Sequence, residues 1–105
     1  MENSGGRTSM IRHICMFKFK EENKKENIAE MLKRVESLRD IPQIKKFEVV
    51  VNSDEAPESN YEVSLIFDFE NMDELNVYQK DERHVKFGDF IKSVREARAC
   101  IDYEF

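Results

Sequence analysis

The sequence predicts an α+β domain: four antiparallel strands in one sheet, with the helices gathered on one of its faces. Three observations carry this reading. Largely apolar odd positions mark 11–20 and 61–69 as strands, and apolar residues at helical spacing mark 28–38 and 84–94 as amphipathic helices. The periods also succeed one another as strand, helix, strand, strand, helix, strand, the order of a split βαβ unit.

Each element follows in turn. In IRHICMFKFK the odd positions Ile11, His13, Cys15, Phe17 and Phe19 share one face, while Arg12, Lys18 and Lys20 point away. The polar stretch EENKK leads into a helix whose stripe is Ile28, Met31, Leu32, Val35 and Leu38. Asp40-Ile41-Pro42 closes it, because a residue before proline is pushed out of the helical region. KKFEVVVN (45–52) reads as the second strand and the loop SDEAPESN ends it. Tyr61, Val63, Leu65, Phe67 and Phe69 alternate with Glu62, Ser64 and Asp68 in the third. Asn71 followed by Glu74 forms a capping-box pattern for a helical stretch over 72–80. Asp81 is positioned to cap a further helix from Glu82 to about Arg95, with His84, Phe87, Ile91 and Val94 inward. ACIDYEF (99–105) closes the sheet as a fourth strand. The result is a ferredoxin-like βαββαβ domain over residues 10–105, preceded by a polar, flexible extension over 1–9 with Met10 as a candidate natural start.

Composition narrows the class of function. The chain has 105 residues, 17 basic and 22 acidic, for a net charge of −5. One hydrophobic core suffices for that length. An acidic chain without a basic block speaks against nucleic acid as a partner. No apolar run approaches the roughly 20 residues of a membrane span, so no membrane partner is expected. Two cysteines without a CxxC pair fit a cytoplasmic protein. By alternation within their strands Cys15 falls on the helix-covered face and Cys100 on the other, so no disulfide between them is expected.

That second face should be solvated, yet Ile14, Met16, Val50, Ile66 and Cys100 stand among its charges. Apolar residues in the middle of an open sheet face predict that it packs against something, most simply the same face of a second copy. A homodimer through the sheets is therefore expected.

The segment Arg-His-Ile-Cys-Met-Phe-Lys-Phe-Lys (12–20) resembles the opening strand of the stress-responsive A/B barrel (Dabb) domains. Tyr78-Gln-Lys-Asp-Glu-Arg-His84-Val-Lys-Phe-Gly-Asp89 resembles their second signature, a Tyr followed by a His-Pro-x-His-type turn into a helix, and Asp102-Tyr103 also fits. The resemblance implies a dimeric α+β barrel. It also implies a polyketide cyclase-like chemistry, as in the family's olivetolic acid cyclase, which closes a linear polyketide thioester by aldol condensation without a cofactor. His84, Tyr78 and His13 match its site histidines and tyrosine, whereas Val63 replaces a pocket histidine and Asp81-Glu82 replaces the His-Pro of the turn.

The residues themselves support a chemical role. An imidazole with an ordinary pKa near 6.5 accepts a proton at cellular pH, and the start of a helix disfavours its cationic form. His84 is thus the candidate general base, with Tyr78 donating a hydrogen bond to an enolate or carbonyl oxygen or orienting the His84 ring. A buried Tyr–His pair that merely fixes a helix turn has the same signature. His13, Cys15, Phe17, Val63, Leu65 and Phe87 would line a cavity between sheet and helices, mostly apolar as small-molecule pockets are; without a cavity they are ordinary core. His13, His84 and Asp81 could converge, but no metal-ligand spacing accompanies them, so neither a metal nor a cofactor is expected. The ligand expected is a small, largely apolar or aromatic molecule, and two functional classes stand: a cofactor-independent catalyst of proton abstraction beside a carbonyl, and a non-catalytic, stress-related dimer that binds a small ligand or serves only as structure.

Overall fold

The computed structural model describes residues 9–105; most of the extension expected over 1–9 lies outside them. β1 (Ile11–Phe19), α1 (Lys24–Arg34) with a 3₁₀ turn (Val35–Leu38), β2 (Lys46–Val51), β3 (Val63–Phe69), α2 (Met72–Lys80), α3 (Glu82–Val94) and β4 (Arg95–Glu104) follow one another as the periodicity predicts. The four strands form one antiparallel sheet in the order β2-β3-β1-β4, the ferredoxin-like arrangement.

Local chemistry sets the helix starts. Asn23 enters α1 at φ 56°, a left-handed conformation that asparagine tolerates better than most residues. The Asn71 side chain accepts a hydrogen bond from the Glu74 N–H at 2.9 Å, as the capping pattern foretold. Asp81 ends α2 in extended backbone and caps α3 by accepting from the Arg83 N–H at 2.8 Å. This single extended residue turns the chain between the two helices and brings the end of α2 beside the first turn of α3.

The core lies between the helices and the face of the sheet that carries the odd positions of β1. Phe19, Met31, Val35, Leu38, Phe67 and Phe69 are wholly buried there. Burying aromatic and branched side chains of this size stabilises by roughly 1.5–3 kcal/mol each. Phe67 stacks on Phe47 at 4.7 Å and meets Tyr78 edge-on at 5.9 Å. α1 packs on β1 and α3, and α2 on β3.

β4 differs from the sequence reading in a way that matters. It begins at Arg95 rather than at residue 99, directly after α3, and its register sets Arg98 opposite Phe17, Cys100 opposite Cys15 and Asp102 opposite His13. Directly opposed residues of antiparallel strands point to the same face. Cys100 therefore shares the helix side with Cys15, and the two are joined by a disulfide with Cα atoms 4.2 Å apart. Both the assignment of Cys100 to the bare face and the expectation of unpaired thiols are corrected. Alternation orders the residues within one strand; only the pairing register relates the faces of two strands.

The bare face keeps its apolar centre, with Ile101 in the place expected of Cys100. Ile66, Ile14 and Ile101 stand side by side across three strands, and Met16, Val50 and Ile101 are 38, 40 and 60% exposed. Charges frame this strip: Arg12 grips Asp68 through two hydrogen bonds, at 2.8 and 3.0 Å, and lies over the Phe105 ring at 4.3 Å. Among the described residues no helix is long and apolar enough to cross a membrane.

Candidate active site

The helices cover β2, β3 and β1 but leave the helix side of β4 open. Arg98, Cys100 and Asp102 are exposed there, although they point the same way as the buried His13, Cys15 and Phe17. A cavity of about 200 Å³ occupies this flank, between β1 and β4 below and α2 and α3 above.

Tyr78, on the last turn of α2, is 1% exposed. Its ring meets His84 at 4.6 Å, Phe69 at 5.0 Å and His13 at 6.4 Å. Burial pushes its phenol well above the usual range, against the weaker pull of the Arg98 charge. The hydroxyl thus keeps its proton and is available as a donor.

His84 stands in the first turn of α3, and its Nδ1 lies 3.0 Å from the Gln79 carbonyl oxygen. That carbonyl is one of the last four of α2 and has no partner within its own helix. A carbonyl oxygen only accepts, so Nδ1 donates and carries the ring proton. The other nitrogen, Nε2, is left with its lone pair. Burial lowers the His84 pKa below its ordinary 6.5; the Gln79 hydrogen bond opposes this, and the nearby His13 and Arg98 reinforce it. The ring is accordingly neutral at pH 7.

His13, 4% exposed, sits on β1 with Nδ1 2.5 Å from Asp102 Oδ1 on β4. The next rung on this face of the same two strands is the Cys15–Cys100 disulfide.

Most of the residues singled out in the sequence meet at this cavity. His13, Cys15, Phe17, Leu65 and Phe87 line it together with Tyr78 and His84. Val63 does not: it lies at the start of β3, between Phe17 and Val51, away from the flank where β4 is uncovered. Asp81 is also elsewhere engaged. It binds the Arg83 side chain at 2.9 Å through both oxygens, and these hydrogen bonds hold its carboxyl down at about 2. Sequence reasoning missed the cations: Lys92, Arg95 and Arg98 rim the cavity, and none of them enters an ion pair among the described residues. Only the register of the last strand against β1, which sets Arg98 opposite Phe17, reveals that Arg98 faces the helices.

Residues 11–105 match the model of the Stress responsive A/B Barrel Domain, Dabb. The chain belongs to the Dabb family. Solved structures agree on the fold of this Dabb domain. A dimeric ferredoxin-like protein of unknown function from Bacteroides fragilis is 31% identical, with a TM-score of 0.78 over 91% of this chain and 96% of that one. A dimeric ferredoxin-like protein from Thermobifida fusca superposes with a TM-score of 0.84 at 20% identity, over 100% of this chain and 99% of that one. The hydroxynitrile lyase of Passiflora edulis shares the fold at 14% identity, with a TM-score of 0.79 over 94% and 95% of the two chains. No curated protein matches the chain.

Proposed function

We propose that this Dabb domain is a homodimer whose cavity binds a small carbonyl compound with an anionic end and promotes proton transfer beside the carbonyl, without a cofactor. The observation that carries this is the neutral His84 ring, its proton fixed on Nδ1 by Gln79 and its Nε2 left as an acceptor next to a protonated Tyr78. In the reaction, Nε2 takes the proton from the carbon next to the carbonyl. The C–H electron pair becomes the enolate double bond, and Tyr78 donates a hydrogen bond to the oxygen where the charge collects. The imidazolium then returns its proton to substrate or water. Phe17, Leu65 and Phe87 offer an apolar wall, and Lys92, Arg95 and Arg98 suit a carboxylate or a similar anion at the mouth. The same fold serves a hydroxynitrile lyase, so it can carry an enzyme.

The apolar strip Ile66–Ile14–Ile101 with Met16 and Val50 supports the sheet-to-sheet dimer, and the Bacteroides and Thermobifida structures are described as dimeric. Light scattering should give twice the chain mass; the chain mass would contradict the dimer.

A non-catalytic, stress-related dimer that binds a small ligand or is only structural is the second reading, favoured by the near-complete burial of Tyr78 among rings. Solvent deuterium incorporation into a panel of 3-oxo acids, followed by proton NMR, separates the two. The catalytic reading expects incorporation that His84→Gln slows by about 10²–10⁴-fold. Incorporation no faster than the buffer rate, or unchanged in His84→Gln, supports the binding or structural reading instead.

A further inference from the structure

The disulfide rung and the histidine rung of β1 and β4 lie side by side on one face, and this brings three soft or borderline donors together. One ligand-capable atom from each of His13, Cys15 and Cys100 lies within 4.8 Å of the other two. Around a tetrahedral zinc ion, with Zn–S near 2.3 Å and Zn–N near 2.0–2.1 Å, neighbouring donors stand about 3.3–3.8 Å apart. The three groups thus already share one small volume, and the two sulfurs need only part on reduction to reach that spacing.

We propose that reduction of the Cys15–Cys100 bridge turns this corner of the cavity into a binding site for a thiophilic divalent ion such as Zn²⁺, held by both thiolates and His13. While the sulfurs are bonded to each other neither is a thiolate, so disulfide and metal exclude one another. A dithiol reductant supplies two electrons, leaving as a disulfide itself and releasing two cysteine thiols. Binding of the ion then displaces two thiol protons and leaves a complex with no net charge: two thiolates, a neutral imidazole and the dication.

The surroundings fit this role. The Asp102 carboxylate engages His13 Nδ1 at 2.5 Å, so in the proposed site Nε2 is the nitrogen that binds the ion, the carboxylate–histidine–metal arrangement that orients and strengthens an imidazole ligand. Cys100 is exposed, so reductant and ion both reach the site from solvent, while Cys15 and His13 are buried and fixed in the sheet. Three protein donors leave a fourth position open toward the cavity, the pattern of reactive rather than purely structural zinc sites. The inference does not rest on the catalytic reading of His84 and Tyr78, which lie on the helices opposite.

Cobalt(II) is the probe. The full chain is reduced with a phosphine, freed of reductant without air, and titrated with Co²⁺ and then Zn²⁺. The expected result is one cobalt per chain with thiolate-to-cobalt charge-transfer absorption, displaced by zinc and absent from the oxidised protein. Cys100→Ser, whose substitution is at an exposed position, should lose the band, and Asp102→Asn should keep it with affinity weakened about 10- to 100-fold. A reduced chain that keeps its far-UV circular dichroism yet shows no band overturns the proposal. So does a band that survives in Cys100→Ser, or equal binding by the oxidised protein. Should reduction itself unfold the chain, no folded reduced site exists and the proposal falls with it.

Discussion

The helix side of the sheet is two surfaces in one. Over β3 and the middle of β1 it is closed: Phe67 and Phe69 are fully buried under α2 and their neighbours, and rings contact rings at 4.7–6.4 Å. One strand further, on β4, the same face is open, and Arg98, Cys100 and Asp102 take the positions that apolar residues hold elsewhere. The helices are the cause, since they stop covering the sheet at β1. The closed part holds the fold together. The open part can hold polar and charged groups because water compensates them, and it is there that both histidines, the buried tyrosine and the cations meet.

This contrast can be broken at several points. Phe67→Ala, on the closed side, should cost about 3–5 kcal/mol, read from chemical denaturation, because it leaves a cavity among rings that cannot collapse. A loss below about 1 kcal/mol would show that the closed side is not the stability centre. Arg98→Ala, on the open side, should leave stability within about 0.5 kcal/mol of the parent. It should weaken binding of a 3-oxo acid about tenfold by calorimetry, the loss of one charge-assisted hydrogen bond. Gly88, in the middle of α3 and on the cavity wall, has no neighbouring atom within 4 Å of where a Cβ would stand. Gly88→Ala should therefore raise stability by roughly 0.5–1 kcal/mol, the usual entropic gain in a helix. A loss would mean that the helix packs more tightly over this flank than the open cavity implies.

The closed surface was legible in the sequence and the open one only partly. Burial writes itself as alternation, so the β1 and β3 positions from Ile11 to Phe69 and the α1 and α3 stripes could be read directly. Asn71 and Asp81 announced their helices through capping chemistry. The last strand carries Glu96, Arg98, Asp102 and Glu104 on the helix side or near it, with no apolar period to mark where it starts or how it registers. Hence Arg98 and the Asp102–His13 pair were not anticipated, and Cys100 was placed on the wrong face. His84 and Tyr78 were found because a signature places them, whereas the tautomer of His84 depends on the Gln79 carbonyl, five residues before it, which only the turn at Asp81 brings within reach of the ring.

The central claim is that the open flank holds a neutral imidazole with a free acceptor nitrogen. With two histidines in the chain, nitrogen-15 NMR of the rings across pH, with His13→Gln for assignment, tests it directly. His84 should carry its proton on Nδ1 at pH 7 and titrate below 6.5. Because its folded pKa is depressed, the unfolded chain takes up the proton first, so this group's contribution to stability is present above about 6.5 and is lost as pH falls through the lower folded value. A His84 ring protonated on Nε2 at pH 7, or one titrating above 6.5, would contradict the account.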